Sequence, residues 1–87
     1  MIIRSFEWDD VNSEHIARHN VSPEEAEEVC INNPVILKSR EQCYYILGQT
    51  DNGRFLTIIV KFKFGGQARV VTARNMSNAE RNRYRRK

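Results

Sequence analysis

His15 and His19 are the only histidines in the chain and lie four residues apart, one turn of a helix. Imidazoles so placed can shuttle protons or contact a phosphate, whereas two ligands without a third make a weak metal site. His19 also has a structural alternative, bonding the last free carbonyls of its helix. Arg74 closes a strand-like run directly before a helix cap at Ser77. Such an arginine needs an anion, either a carboxylate of the acidic second helix or a substrate phosphate. Glu80 stands three residues after Ser77 and is accounted for as a capping partner. Arg81 and Tyr84, three apart, can offer a cation and a stacking ring on one surface, as RNA binding requires. Tyr84 can equally pack the last helix onto a sheet. These residue types suit chemistry on RNA, which carries its own nucleophile, the 2′-hydroxyl. The protein then has to help remove that proton, stabilise charge at phosphorus and protonate the leaving 5′-oxygen. Arginine fits the middle task because its fork matches phosphate oxygens and keeps its charge.

Other chemistries lack their residues. The four glycines, Gly48, Gly53, Gly65 and Gly66, sit in turn contexts and form no phosphate loop. Cys30 and Cys43 have neither zinc spacing nor a nucleophile motif, and two cysteines are too few for a disulfide framework. No cofactor and no metal is therefore expected. No apolar run approaches the ~20 residues of a membrane span, and Met1-Ile2-Ile3-Arg4 does not read as a signal peptide, so a cytoplasmic protein is expected. The 87 residues form a single domain, and the net charge of +3 conceals a split. Residues 1–60 carry −5, while residues 61–87 hold nine Lys/Arg against Glu80 alone, +8. A basic back half points to a polyanion or an acidic protein partner.

The elements that position these residues follow from pattern. Ile2–Trp8 reads as a short strand. Asp9 or Asp10 caps a helix to about His19, closed by Asn20, which tolerates the left-handed conformation. Ser22-Pro23-Glu24-Glu25 is a capping box with proline at the first helical position. The helix it opens buries Ala26, Val29 and Cys30, and its glutamates form a solvated acidic face. After Asn32-Asn33-Pro34, strands are predicted at Val35–Ser39, Cys43–Gly48, Arg54–Phe64 and Gln67–Asn75. Asp51-Asn52-Gly53 and Gly65-Gly66 make the hairpin turns. In the long strand Leu56, Ile58, Val60, Phe62 and Phe64 share one apolar face. In the last strand alternation puts Ala68, Val70, Thr72 and Arg74 together. Ser77-Asn78-Ala79-Glu80 opens a terminal helix. The expected fold is α+β, an antiparallel sheet with helices packed on one face.

Three stretches resemble the BrnT family, the ribonuclease halves of type II toxin–antitoxin pairs. They are Phe6-Glu7-Trp8-Asp9 with Ile16-Ala17-Arg18-His19-Asn20-Val21-Ser22-Pro23-Glu24-Glu25-Ala26-Glu27-Glu28-Val29, then Gly48-Gln49-Thr50-Asp51-Asn52-Gly53-Arg54. The third is Arg69-Val70-Val71-Thr72-Ala73-Arg74 followed by Ser77, Glu80, Arg81 and Tyr84. The resemblance implies a RelE-like fold, metal-independent endoribonuclease activity, and neutralisation by a DNA-binding antitoxin of the ribbon-helix-helix, BrnA-like kind. It implies roles for His19, Arg54, Arg74, Glu80, Arg81 and Tyr84. The lysine these toxins commonly carry in the first helix is missing between Trp8 and His19, and His15 stands where many have Asn. Proton transfer then shifts to His15, or catalysis is lost while the fold is kept.

The resulting expectation is a toxin cutting RNA through its 2′-hydroxyl. His15, His19, Arg54, Arg74 and Glu80 form the catalytic set, and Lys61, Lys63, Arg69, Arg81, Tyr84 and Arg85 hold the RNA. Its partners are the RNA and the antitoxin, in a homodimer or a toxin–antitoxin heterotetramer. The alternative is a non-catalytic module binding RNA, DNA or the antitoxin.

Overall fold

Strand alternation and two glycine turns shape the middle of the molecule. The computed structural model describes residues 3–86; Ile2, at the start of the expected first strand, and Lys87 lie outside them. In chain order the elements are β1 (Ser5–Glu7), α1 (Asp10–Ala17), α2 (Pro23–Ile31), β2 (Val35–Lys38), β3 (Cys43–Gln49), β4 (Phe55–Lys63), a 3-10 turn (Phe64–Gly66), β5 (Gln67–Asn75) and α3 (Asn78–Arg85). One sheet runs in the order β1-β5-β4-β3-β2. Strands β2 to β5 are successive antiparallel hairpins, as the turn residues require. Gly53 and Gly65 have φ of 89° and 81°, which L side chains rarely adopt. Strand β1 differs from the expectation, lying parallel to β5 with Ser5, Phe6 and Glu7 opposite Gln67, Ala68 and Arg69. A parallel pair needs a long crossover, and here the rest of the domain supplies it.

The expected apolar face is real from Leu56 to Phe62, but Phe64 leaves the strand for the 3-10 turn and stands fully exposed. Leu56, Ile58 and Val60 are fully buried with Ile46, Ala68, Val70 and Ala73 against Ile16, Val21, Ala26 and Val29. Each large aliphatic side chain buried this way is worth about 1.5–3 kcal/mol. Only α1 and α2 cover that face. Helix α3 sits on the other one, where Tyr84 packs with Val35 and Leu47 beside Leu37, Phe55 and Met76. Helices therefore lie on both faces, because α1 and α2 already fill the first and α3 has one apolar anchor to bury.

A bulge corrects the faces of β5. Ile59 is opposite Thr72 but Val60 is opposite Val70, so Val71 is the extra residue, 45% exposed. Beyond it the alternation is inverted. Ala68, Val70 and Ala73 point into the core, while Thr72 and Arg74 move to the α3 face. Helix α1 ends at Ala17, earlier than expected, with Asn20 left-handed at φ 59°.

Candidate active site

The bulge places Arg74 beside its cross-strand partner Thr57, beneath the first turn of α3. Ser77 caps that helix and Glu80 is the reciprocal member of the box. Glu80 does more than cap. Its Oε1 accepts from Arg74 Nη1 at 2.7 Å, Thr57 Oγ1 at 2.8 Å and the Ser77 backbone N–H at 2.8 Å, and Oε2 accepts from Arg74 Nη2 at 2.9 Å. The Arg74 guanidinium, followed by these hydrogen bonds, brings the Glu80 carboxyl down to about 2. Glu80 is thus a permanent carboxylate that orients an arginine in a bidentate fork. Glu80 is 15% exposed and Arg74 34%, so the guanidinium keeps a side open to a second anion. Its positive charge is reinforced by Glu80. The carboxylate that Arg74 needs is expected on the second helix; the structure places it on the third.

The second helix takes Arg54 instead. Arg54 Nη1 donates to both Glu25 carboxylate oxygens, at 2.9 and 3.0 Å, and to the Asn20 carbonyl at 2.7 Å. Burial pushes the Glu25 carboxyl up, but the Ser22 backbone N–H and Arg54 outweigh it and hold it below its ordinary value. The expected solvated face of α2 is in fact tied down, for Glu27 accepts from Trp8 Nε1 at 2.7 Å and Glu28 from the Asp51 N–H at 3.1 Å. Asn75 joins the two arginines: its carbonyl accepts from Arg74 at 3.3 Å and its side-chain oxygen from Arg54 at 3.5 Å. His15 and His19 are exposed, with ring centroids 5.9 Å apart. Helix α1 packs on the face opposite Arg74, and the histidines share no hydrogen bond with it. The five expected catalytic residues therefore form an Arg74–Glu80 centre, an Arg54 anchor and a separate histidine pair.

The expected RNA-holding residues divide too. Lys63 and Arg69 are spent on Glu7, at 2.9 and 3.0 Å, and Arg69 also on Asp9 at 2.8 Å. Arg69, with the Asn12 N–H, holds the Asp9 carboxyl at about 2. These pairs fasten β1 and the start of α1 to the β4–β5 hairpin, which corrects their reading as free cations. Tyr84 is 7% exposed, its ring edge-on to Phe55 at 6.0 Å, so it anchors α3 and does not stack on a base. Among the described residues no carboxylate pairs with Lys61, Arg81 or Arg85, and Arg81 lies 4.1 Å over the Phe55 ring. Sequence reasoning passed over Thr57 and Asn75. A lone hydroxyl residue in the apolar run Leu56-Thr57-Ile58-Ile59 was the available signal for Thr57.

Comparison with known proteins adds three findings. A family model described as the ribonuclease toxin, BrnT, of type II toxin–antitoxin systems matches residues 8–80. The crystal structure of the Brucella abortus ribonuclease toxin BrnT superposes with a TM-score of 0.69 at 16% identity, covering 85% of this chain and 97% of that one. At that identity the superposition speaks for the fold. No curated protein matches the chain in sequence.

Proposed function

Since the chain belongs to the BrnT family of ribonuclease toxins of type II toxin–antitoxin systems, we propose that Arg74 stabilises charge on the phosphate as RNA is cut through its 2′-hydroxyl. The observation that carries this reading is the Arg74–Glu80 fork, ionised, locked by Thr57 and Ser77, and open on one side. A guanidinium fixed before substrate arrives stabilises developing phosphorane charge without reorganising. Glu80, with its proton lost down to about pH 2, is a positioning residue and takes no proton at neutral pH. The 2′-hydroxyl supplies the nucleophile, so the step needs no metal-bound water.

Neither histidine reaches the phosphate that Arg74 holds, so the 2′-hydroxyl proton passes to water and the leaving 5′-oxygen takes one from water, while His19, with His15 beside it, meets the strand at a flanking phosphate. His19 precedes Asn20, whose carbonyl holds Arg54, and Arg54 and Arg74 meet at Asn75. An RNA strand lying on Arg74 and continuing past Asn75 would run along this line toward the α1–α2 turn. Lys61 and Arg85, which pair with no carboxylate among the described residues, hold the backbone. The antitoxin implied by the family is taken to be a BrnA-like ribbon-helix-helix protein that binds DNA, acting in the cytoplasm in a heterotetramer with a toxin dimer.

The test is incubation of the purified protein with end-labelled RNA in EDTA, mapping the cut ends. Cyclic or 3′-phosphate ends are expected, with Arg74→Ala slowing cleavage by about 10²–10³. Cuts bearing 5′-phosphates, or full activity in Arg74→Ala, would sink the assignment. One observation favours a non-catalytic module, the separation of the histidines from Arg74. Intact RNA that is nonetheless bound with steep salt dependence is its signature.

A further inference from the structure

Helix α3 turns Glu80 and Tyr84 to the sheet and presents a different set outward. Asn78, Arg81, Asn82 and Arg85 fall at i, i+3, i+4 and i+7 and line an open groove of about 510 Å³. Nothing acidic lines it, and its walls are amides and guanidiniums. Along the helix the four residues span about 10 Å at a 1.5 Å rise per residue. Arg81 is the built part. Its guanidinium carbon stands 4.1 Å from the centre of the Phe55 ring, and Phe55 is itself braced edge-on by buried Tyr84. The Arg81 Nε is buried with no hydrogen-bond partner. A planar cation is thus held over an aromatic ring, with no carboxylate among the described residues claiming it.

We propose that this groove is a nucleotide subsite flanking the scissile phosphate. A base of single-stranded RNA stacks on Arg81, the Asn78 and Asn82 amides read its edge, and Arg85 holds the neighbouring phosphate. Single-stranded RNA is recognised in this way, by bases splayed onto aromatic rings or guanidinium planes and hydrogen-bonded along their edges. An Asn amide offers donor and acceptor together, so it can match one base edge and mismatch another. The groove lies on the helix that carries Glu80, and Arg81, the residue after it, lines the groove, so a strand held at Arg74 need only pass the first turn of α3 to seat a base there. The inference rests on the ribonuclease reading and adds what sets the sequence preference of the cut.

The experiment has two arms. In the first, one labelled RNA is digested by the wild type, Asn78→Ala and Asn82→Ala, and the bases flanking each cut are tabulated. The wild-type preference at one flanking position should fall about tenfold in at least one variant, with Arg74-dependent cleavage retained. In the second, fluorescence anisotropy measures binding to 2′-O-methyl oligonucleotides of each base across a salt series. Arg85→Ala should reduce the salt slope by about 0.7 without changing base preference, and Arg81→Lys should weaken binding while leaving the slope intact. Wild-type cut patterns and wild-type affinities in all four variants overturn the subsite. So do variants that keep RNA affinity but no longer bind the antitoxin, which would make the groove a protein interface. Failure of the ribonuclease reading is separate: the wild type leaves RNA uncut in the first arm while the second still reports on the groove.

Discussion

One carboxylate at the head of α3 receives four hydrogen bonds, two of them from the same arginine. That concentration of donors holds the Glu80 carboxyl at about 2, against an ordinary value of 4.5. The unfolded chain takes up this proton more readily than the folded one. The stabilisation is therefore complete above about pH 4.5 and lost as pH falls toward 2. With the Arg74 side partly open to water, it amounts to at most about 2 kcal/mol. Glu80→Gln separates two roles, since glutamine can still close the capping box but cannot pair with Arg74. Urea unfolding at pH 7 and pH 3 should show a smaller loss on acidification in Glu80→Gln than in the wild type, together with a cleavage rate well below the wild type's at pH 7. An unchanged acid response would mean that another carboxylate controls it. Thr57→Val, which removes one buried donor and keeps the shape, should cost about 1 kcal/mol and impair cleavage less than Glu80→Gln does.

Each helix of the fold begins with the same device used twice over. Asp9, Ser22 and Ser77 are the caps, and Asn12, Glu25 and Glu80 are their reciprocal partners three residues on. Every one of those partners also reaches the sheet or its margin. Asn12 Nδ2 donates to the Glu7 and Val70 carbonyls, Glu25 accepts from Arg54, and Glu80 accepts from Arg74 and Thr57. A cap removed from α3 should therefore do more than fray a turn. Ser77→Ala is expected to cost about 1 kcal/mol in unfolding free energy. It should also depress cleavage more than the equally destabilising Ser22→Ala, because only α3 carries the group that aims Arg74. Equal activity in the two variants would break that link. The capping boxes at Ser22 and Ser77 were legible in the sequence because they depend on residues three apart. The second bonds of Glu25 and Glu80 were not, because they depend on where β4 and β5 fall relative to the helices. The bulge at Val71 was invisible for a related reason. Val70, Val71 and Thr72 are all β-branched, so side-chain pattern there does not mark the extra residue, and Arg74 was assigned to the wrong face. Parallel pairing of β1 was hidden too, since three residues carry no register of their own.

Across the whole molecule the split between an acidic front and a basic back is bridged at two cations, Lys63 and Arg69. Lys63 and Arg69 face Glu7 and Asp9 and so join the acidic front to the basic back, whereas Arg54 pairs with Glu25 within the front and Arg74 with Glu80 within the back. What is left for a polyanion is the unpaired set, Lys61 on the α3 side of the sheet and the cations of α3 itself. Lys61 alternates with Thr57 and Ile59 along β4, and so projects from the same face as Arg74. The net charge alone would assign RNA binding to every basic residue after 60; the pairing withdraws Lys63 and Arg69 from that set. Two substitutions of equal charge distinguish these views. Lys61→Ala removes a free cation and should lower the slope of log affinity against log salt for a single-stranded RNA by about 0.7. Lys63→Ala removes a cation already paired with Glu7, which keeps its bond to Arg69, on an exposed surface where such a pair contributes about 0–1 kcal/mol. It should leave the salt slope within error of the wild type and change the melting temperature only slightly. Anisotropy titrations of both variants from low to moderate salt make the comparison directly. Equal slopes for the two would show that RNA reads the overall charge of the back half, and that the ion pairs give way when it binds.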